Sequence, residues 1–228
     1  MTDLRVAPCS HTAAKLAVER WHYSRTMPVG KLARFGIWEH DEFVGVVLFC
    51  WGANHNLSSQ FGLAMVECVE LVRVAMRAHT SPVSQVITKA VAMLRRSSPG
   101  LRLVVSFADP HEGHHGGIYQ AGNWIYLGQT GSKRELELNG RTLNRRAYTG
   151  ANFGTPKMAI PSGAVWVQRP GKHRYVMPLD RAMRRQVTKL AQPYPQSADQ
   201  VSMGDVQPTG RKGQVRSLRS APLAEASA

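Results

Sequence analysis

The stretch "LRLVVSFADPHEGHHGGIYQAGNWIYLGQT", Leu101 to Thr130, decides the fold. It begins with a near-continuous apolar run that ends on Asp109, a pattern typical of a strand buried on both faces. A glycine-rich turn follows, and "HGGIYQAGNW" predicts a short helix before a further strand, "WIYLGQT". Because ligands of α/β sheets gather beyond the carboxyl ends of strands, the position of Asp109 predicts a functional site there.

The segments upstream of this stretch begin with a helix and a hairpin. The helix is predicted to end at about Trp21, and Ser10 or Thr12 is placed to cap its start. The run "RFGIWEHDEFVGVVLFCWG" predicts two paired strands, Arg34 to Trp38 and Phe43 to Trp51, joined by a polar turn. His22 and Tyr23 therefore come at the exit of the first helix.

The middle of the chain predicts a strand and then a helix. "MVECVELVRVAM" reads as a central strand, and "SPVSQVITKAVAMLRR" as a helix with Ser81 at its N-cap and Pro82 at its first position. Later strands are predicted at "RELELNG", "AVWVQRP" and "KHRYVMPL", before a basic helix from Asp180 to Leu190. These elements indicate an α/β (α+β) fold, a mixed central sheet flanked by helices.

The chain is predicted to form one domain over residues 1–190. Residues 191–228 are rich in Pro, Gln, Ser and Gly, and we expect them to form a basic, disordered tail. The net charge of +14 is uneven, because Met1 to Thr130 holds 12 Lys and Arg against 9 Asp and Glu, whereas Gly131 to Ala228 holds 17 against 6. Such a field attracts polyanions, so nucleic acid is the first partner that we expect.

The cysteines and the start of the chain indicate the compartment. Cys9, Cys50 and Cys68 are odd in number and contain no CxxC pair, so neither a disulfide framework nor a zinc module is predicted. The start "MTDLRVAPCS" lacks the apolar run of a signal peptide, and no stretch approaches the length that spans a bilayer. We therefore expect a cytoplasmic protein without a membrane partner.

Four side chains are the candidates for catalysis. Asp109 or His22 has the chemistry of a general base, while Tyr23 and Tyr119 can donate hydrogen bonds to a developing oxyanion. Each has a structural alternative, since Asp109 can cap the following turn, His22 can satisfy a backbone carbonyl, and Tyr119 can pack in the core. Trp21, Tyr23 and Trp124 can also stack on an extruded base, although Trp124 is expected in the core.

The glycine-rich loop has two possible uses. Gly116 and Gly117, with Gly113, allow backbone N–H groups to approach a phosphate, although turn geometry alone also accounts for them. A two-histidine, one-carboxylate metal site is conceivable in the same loop, but we favour a solvated or phosphate-contacting loop and predict no metal. The residues of that alternative are His111, Glu112, His114 and His115.

Several of these motifs together resemble a known family. "WHYS", "GVVLFCWG", "VELVRV" and "ADP" followed by "GHHGGIYQAGNWIYLG" are similar to the Mom family of phage DNA-modification proteins. The resemblance covers roughly Ala14 to Thr130. It implies an acyltransferase-like fold of the GNAT type, and transfer of a carbamoylmethyl-type group to N6 of adenine, which protects phage DNA from restriction in the host cytoplasm.

The resemblance also implies functional residues and a donor. His22 and Tyr23 correspond to the family's His-Tyr pair, Asp109 to its acid and Tyr119 to its tyrosine. A standard coenzyme A site has a glycine-rich pyrophosphate loop, whereas the loop here, "RAHTSPVSQ", contains no glycine. The donor is therefore either acetyl-CoA or an aminoacyl-tRNA such as glycyl-tRNA. The residues expected to bind it are Arg73, Val74, Thr80, Ser81, Ser84, Gly116 and Gly117.

Double-stranded DNA is the expected partner, with tRNA as a possible second one. The residues predicted to bind nucleic acid are Trp21, Lys133, Arg134, Arg145, Arg146, Lys172 and Arg174. Two other functions stay open: a GNAT-type N-acetyltransferase acting on a small-molecule or protein amine, and a non-enzymatic DNA-binding antirestriction protein.

Overall fold

The computed structural model describes residues 3–52, 56–143 and 158–196. Short 3-10 turns, Met65–Glu67 and Pro110–Glu112, precede β4 and follow β5. In chain order, the helices and strands are β1 (Leu4–Pro8), α1 (His11–Trp21), β2 (Lys31–Glu39), β3 (Glu42–Trp51), α2 (Asn56–Ser59), β4 (Cys68–Met76), α3 (Val83–Ser97), β5 (Leu103–Ala108), α4 (Gly117–Gln120), β6 (Ile125–Gln129), β7 (Lys133–Leu138), β8 (Arg141–Thr142), β9 (Val165–Arg169), β10 (His173–Pro178) and α5 (Arg181–Thr188).

A mixed sheet of seven strands forms the centre of the molecule. Its order is β1-β2-β3-β4-β5-β10-β6, and a smaller sheet has the order β8-β7-β9. Within the large sheet only the pair β4 and β5 is parallel. Apolar side chains of α3 pack on one face of this sheet, while those of α1 and α5 belong to two other core clusters. The predicted mixed α/β sheet flanked by helices is therefore confirmed.

Most predicted elements are present, including the hairpin, the central strand and the strand that leads to Asp109. Strand β1 was missed, because its five residues, "LRVAP", carry a weak pattern and pair only with β2 at the edge of the sheet. Ser10 caps α1, accepting a hydrogen bond from the backbone N–H of Ala13 at 3.1 Å. The prediction of Ser81 as the N-cap of α3 is wrong, since Pro82 occupies that position.

The segment after α5 is held against the domain. The N–H of Gln192 donates to the carbonyl of Tyr126 at 2.9 Å, and the Tyr194 hydroxyl donates to the carbonyl of Trp124 at 2.6 Å. The Gln120 amide donates to the carbonyl of Pro195 at 3.2 Å. The compact unit consequently extends to Pro195, beyond the predicted boundary at residue 190. The predicted tail from residue 197 onward lies outside the described residues.

Among the helices in the described part of the chain, none is long and apolar enough to cross a membrane.

Candidate active site

The site begins where β4 and β5 separate. The two strands pair only from Cys68 to Leu71 and from Leu103 to Ser106, yet both continue further along the sheet. At the same point β4 contains a bulge, because the pairing with β3 steps from Leu71 directly to Arg73 and leaves Val72 without a partner. A bulge bends its strand, and together with the lost pairing it opens a cleft in the sheet.

An apolar cavity of about 670 Å³ occupies this cleft. Its walls come from the exit of α1, from β4, from the end of β5 and from the glycine-rich loop that leads into α4. Because strand pairing ends at Leu71 and Ser106, the sheet itself opens into this cavity. The residues of the apolar cavity used below are Trp21, His22, Tyr23, Arg73, Val74, Val83, Gly116, Gly117, Ile118 and Tyr119.

A polar cavity of about 800 Å³ adjoins it. Five cationic side chains and three carboxylates line this second cavity, which lies between the end of β5 and the small sheet. Tyr23 and Arg73 belong to the walls of both cavities, so the two spaces meet at these side chains. The charged residues of the polar cavity are Arg25, Arg73, Lys133, Arg169, Lys172, Asp109, Glu112 and Glu135.

His22 is buried and held as a neutral imidazole. The backbone N–H of Ser24 donates to His22 Nδ1 at 3.0 Å, and the Ser24 hydroxyl lies 2.8 Å from the same nitrogen. Because a backbone N–H can only donate, Nδ1 accepts and the ring proton is on Nε2. Burial, with the nearby charge of Arg73, lowers the pKa of His22 to about 4. His22 is therefore a hydrogen-bond donor at neutral pH, which argues against its role as the base.

Tyr23 and Arg73 form the wall that the two cavities share. The Tyr23 side chain is half exposed, and its ring centroid lies 4.2 Å from that of His22 and 5.6 Å from that of His114. Arg73 donates from Nη1 to the carbonyl of Val72 at 2.7 Å, which fixes the side chain at the bulge. Its Nε is buried and has no hydrogen-bond partner within the described residues.

Asp109 lies at the rim of the polar cavity as an ionised carboxylate. Its Oδ2 is 2.7 Å from Lys172 Nζ, and its Oδ1 accepts a hydrogen bond from the backbone N–H of His111 at 3.1 Å. Burial raises the pKa of Asp109, but the hydrogen bond and charge of Lys172 outweigh it and hold the pKa below its ordinary value. Asp109 thus both caps the turn after β5 and presents a negative charge to the cavity.

Tyr119 lies deeper, at the floor of the apolar cavity. Its side chain is buried, and its hydroxyl is 2.7 Å from Ser106 Oγ, which in turn lies 2.9 Å from the carbonyl of Leu71. The carbonyl only accepts, so when Ser106 donates to it, Tyr119 donates to Ser106. Burial raises the pKa of Tyr119 to about 12, so the phenol stays neutral. This network stabilises the strands where they separate.

The family model of the Mom protein family matches residues 3–196 of this chain. The chain belongs to the Mom family. It is 30% identical over 205 residues, 85% of this chain and 84% of the relative, to the protein named methylcarbamoylase mom of Escherichia phage Mu. The predicted family is thus confirmed. His22, Tyr23, Asp109 and Tyr119 lie around one pair of connected cavities.

Solved acetyltransferase structures are also similar to this Mom-family chain. One is an acetyltransferase of Bacillus subtilis in complex with CoA, with 13% identity, 79% of this chain and 100% of the other covered, and a TM-score of 0.46. A second is the spermidine/spermine N-acetyltransferase of Vibrio cholerae, with 8% identity, 80% and 96% covered, and a TM-score of 0.47. These likenesses say nothing about the substrate or donor of this chain.

Only some of the residues predicted to bind a donor line the apolar cavity. Arg73, Val74, Gly116 and Gly117 do, but Thr80, Ser81 and Ser84 are not part of its wall. Thr80 and Ser81 instead bind the carboxylate of Glu39 through their backbone N–H groups, at 2.8 Å each. The loop before α3 therefore does not fit the diphosphate of coenzyme A. Sequence reasoning missed Glu39, because it appears only as part of a polar turn between two strands.

The predicted nucleic-acid contacts divide in a similar way. Lys133 and Lys172 line the polar cavity, and Trp21 lines the apolar one. Arg134 lies 5.6 Å from the Trp166 ring instead. Arg174 donates to Gln60 Oε1 at 2.8 Å and is also away from both cavities. Arg145 and Arg146 lie outside the described residues.

Two cations of the polar cavity were missed by sequence reasoning. Arg25 follows the His-Tyr pair, and Arg169 ends β9, where pairing with β7 places it opposite Lys133. Arg169 is also bound to Glu137, and its Nη1 is 3.2 Å from His111 Nδ1. No local signal marks Arg169, because its place depends on the pairing of distant strands. Within the described residues, no group of His, Cys, Asp and Glu is arranged to hold a metal ion.

Proposed function

We propose that this Mom-family chain is a transferase that places a carbamoylmethyl-type group on N6 of adenine in double-stranded DNA, and so protects that DNA from restriction. Family membership supports DNA modification, and the similar protein of phage Mu is named a methylcarbamoylase. One structural observation carries the proposal. An apolar and a cationic cavity meet at Tyr23 and Arg73, with His22 on one side and Asp109 on the other.

The polar cavity suits the target nucleotide. An enzyme that acts on a base in duplex DNA must take that base out of the stack, and it must then hold the base and its phosphates. Lys133, Arg169 and Lys172 supply positive charge for the phosphates, and the half-exposed ring of Tyr23 offers a stacking surface. In this arrangement the exocyclic N6 reaches the wall that the two cavities share.

The apolar cavity suits the group that is transferred. It lies where β4 and β5 separate, and the apolar side chains of Ile118, Val83 and Trp21 are part of its wall. A two-carbon group with an amide nitrogen is small enough for about 670 Å³. Arg73 and His22 line this space, and the guanidinium of Arg73 and the Nε2–H of His22 are its candidate donors for a carbonyl oxygen.

The proton of N6 goes to Asp109 in this proposal. The N6 lone pair is delocalised into the adenine ring, so N6 is a poor nucleophile and needs a well-placed acceptor carbon. As the new N6–C bond forms, the bond from that carbon to its carrier breaks and the carrier leaves with the electron pair. N6 becomes cationic and strongly acidic, so the carboxylate of Asp109 accepts its proton despite the lowered pKa.

His22 and Tyr23 act as hydrogen-bond donors. The neutral His22 presents Nε2–H, because Ser24 occupies Nδ1, and the Tyr23 hydroxyl is adjacent to it in the same wall. Fixed donors of this kind bind the carbonyl oxygen of the transferred group and orient its methylene carbon, to which the bond from N6 forms. Tyr119 is a positioning residue, since its hydroxyl is bound to Ser106 where the strands separate.

The experiment is mass spectrometry of nucleosides from plasmid DNA of cells that express the chain, with Asp109→Asn beside it. We expect an adenosine heavier by a carbamoylmethyl group in the wild type, and its loss by at least about a hundredfold in the variant. Asp41→Asn, the same change in the exposed turn between β2 and β3, is the matched control and should modify DNA normally.

DNA affinity of the three proteins separates catalysis from binding. Asp109→Asn should bind DNA about as tightly as the wild type, because the change removes a negative charge that repels phosphates. Unmodified adenine in soluble wild-type samples would contradict the proposal and favour a protein that only binds DNA.

A further inference from the structure

The carboxylate of Glu39 occupies the loop between β4 and α3. Its Oε2 accepts hydrogen bonds from the Thr80 N–H at 2.8 Å and the Thr80 hydroxyl at 3.0 Å, and its Oε1 accepts one from the Ser81 N–H at 2.8 Å. Glu39 is 5% exposed and Ser81 is fully buried. A carboxylate with so little exposed surface is stable only where it accepts hydrogen bonds. The contact with Glu39 is therefore an integral part of the loop structure.

The three residues directly before α3 have no backbone N–H left for an external anion. A phosphate group at the start of a helix is bound by consecutive backbone N–H groups. Of the three residues from Thr80 to Pro82, two already donate to Glu39, and the third is a proline, which has no N–H. Pro82 is also the N-cap of α3, so the residue that lacks an N–H lies directly at the helix start.

Glu39 remains an anion under all ordinary conditions. Burial raises the pKa of Glu39, but the hydrogen bonds from Ser81 and Thr80 outweigh it and lower the pKa to about 2. A second anion at this loop would have to displace a carboxylate that accepts three charge-assisted hydrogen bonds. While the carboxylate stays in place, its negative charge repels the second anion.

We infer that Glu39 is a built-in occupant of the anion site before α3, and that the group donor of this protein is not anchored there through a diphosphate. The inference deepens the proposed function, on which it rests only for the identity of the transferred group. The diphosphate of a coenzyme A thioester would therefore have no binding site at this loop. A donor whose carrier is a nucleic acid that binds to the basic surface needs no anchor at this loop.

The first test compares anion binding by the wild type, Glu39→Ala and Glu42→Ala. Glu42 is the matched control, since it is an exposed acid three residues away that pairs with Arg77. In titration calorimetry with inorganic pyrophosphate and with coenzyme A, the wild type and Glu42→Ala should bind with the same affinity, because in both only the cations of the polar cavity contact the phosphates. We expect Glu39→Ala to bind pyrophosphate at least tenfold more tightly than either, because two N–H donors become free.

A second measurement needs no variant, in case Glu39→Ala does not fold. The amide signals of Thr80 and Ser81 in a ¹⁵N–¹H spectrum of the wild type should not move when coenzyme A is added. Saturable movement of both signals in the micromolar range would overturn the inference. Either result is independent of the modification assay, so a failure here and a failure of the proposed function are distinguishable.

Discussion

At the scale of single residues, Gly116 shows how tightly the glycine-rich loop is built. Its φ is +89°, and a Cβ at this position would lie 2.3 Å from the ring of Tyr175. Tyr175 is fully buried between other aromatic rings and cannot move away. The glycine is therefore required both by the left-handed backbone and by the close approach of a neighbour.

We predict that Gly116→Ala lowers the free energy of unfolding by more than about 3 kcal/mol, because overpacking adds to backbone strain. Gly113→Ala is the control, since Gly113 has a φ of +72° but a Cβ there would meet nothing within 4 Å. It should cost only about 1 kcal/mol. Urea denaturation of the three proteins measures both values, and equal losses would show that contact with Tyr175 is unimportant.

His22 should make the stability of the protein depend on pH. Its pKa falls from 6.5 in the unfolded chain to about 4 in the folded one, mainly through burial. Between pH 4 and pH 6.5, His22 therefore binds a proton in the unfolded chain but not in the folded one. The contribution of the neutral His22 to the free energy of unfolding is complete above pH 6.5 and is lost as the pH falls toward 4.

We predict that wild-type stability falls by about 2 kcal/mol more than that of His22→Gln when the pH changes from 7.5 to 5.0. Urea denaturation at the two pH values checks this. The glutamine variant keeps an acceptor for the Ser24 N–H and controls for other titrating groups, among them His173, whose pKa burial also lowers. Parallel losses in both proteins would contradict a neutral, buried His22.

At the scale of elements, α5 presents an unpaired basic face. Met183 and Val187 are fully buried and fix the rotation of the helix, so its three arginines, and Lys189 directly after it, are exposed. Within the described residues these cations form no ion pair. Arg181, Arg185 and Lys189 follow each other at steps of four residues, about 6 Å apart, along one line of the helix. Such a row suits a phosphate backbone.

We predict that Arg181→Glu together with Arg185→Glu weakens DNA binding at least tenfold near 0.1 M salt. The slope of log affinity against log salt should become smaller by about 2, since each phosphate contact contributes about 0.9. Fluorescence anisotropy with a short duplex measures both. Arg95→Glu with Arg96→Glu makes the same charge change on α3, whose apolar side chains pack in another core cluster. Equal effects of the two pairs would mean that only net charge matters.

At the scale of the whole molecule, the basic charge belongs mainly to the folded unit. Residues 131–143 and 158–196 hold 10 Lys and Arg against 3 Asp and Glu, whereas residues 197–228 hold 4 against 3. The position of the charge therefore differs from the basic tail that composition predicts. DNA binding should depend on the field of the compact unit, not on the segment that follows it.

Two truncated chains test this distribution. A chain that ends at Gln196 should keep its melting temperature and most of its salt dependence for DNA. A chain that ends at Leu190 loses the hydrogen bonds of Gln192, Tyr194 and Pro195. At about 1 kcal/mol each, their loss should lower the melting temperature by roughly 5–10 °C. If the DNA affinity of the chain that ends at Gln196 no longer depended on salt, the DNA contacts would lie after residue 196.

Local sequence was sufficient for most elements and for the position of Asp109. Helical and strand periodicities depend on neighbouring residues, so the hairpin, α3 and the buried strand β5 could be recognised directly. The candidate site residues were selected for the same reason, since Asp109 follows a buried strand and His22 and Tyr23 follow a helix end. The family motifs within Ala14 to Thr130 are likewise contiguous in the chain.

Long-range pairing decided everything else. Strand β10 inserts between β5 and β6, the sheet pairing of β7 with β9 brings Arg169 to the cavity, and Glu39 meets the loop before α3 across more than forty residues of chain. No periodicity records such contacts, because they depend on which distant segments bury each other's surface. Residue types and local motifs are therefore enough to indicate the family and to select Asp109 as a candidate, whereas the two cavities and the contact of Glu39 with the loop before α3 exist only in the folded molecule.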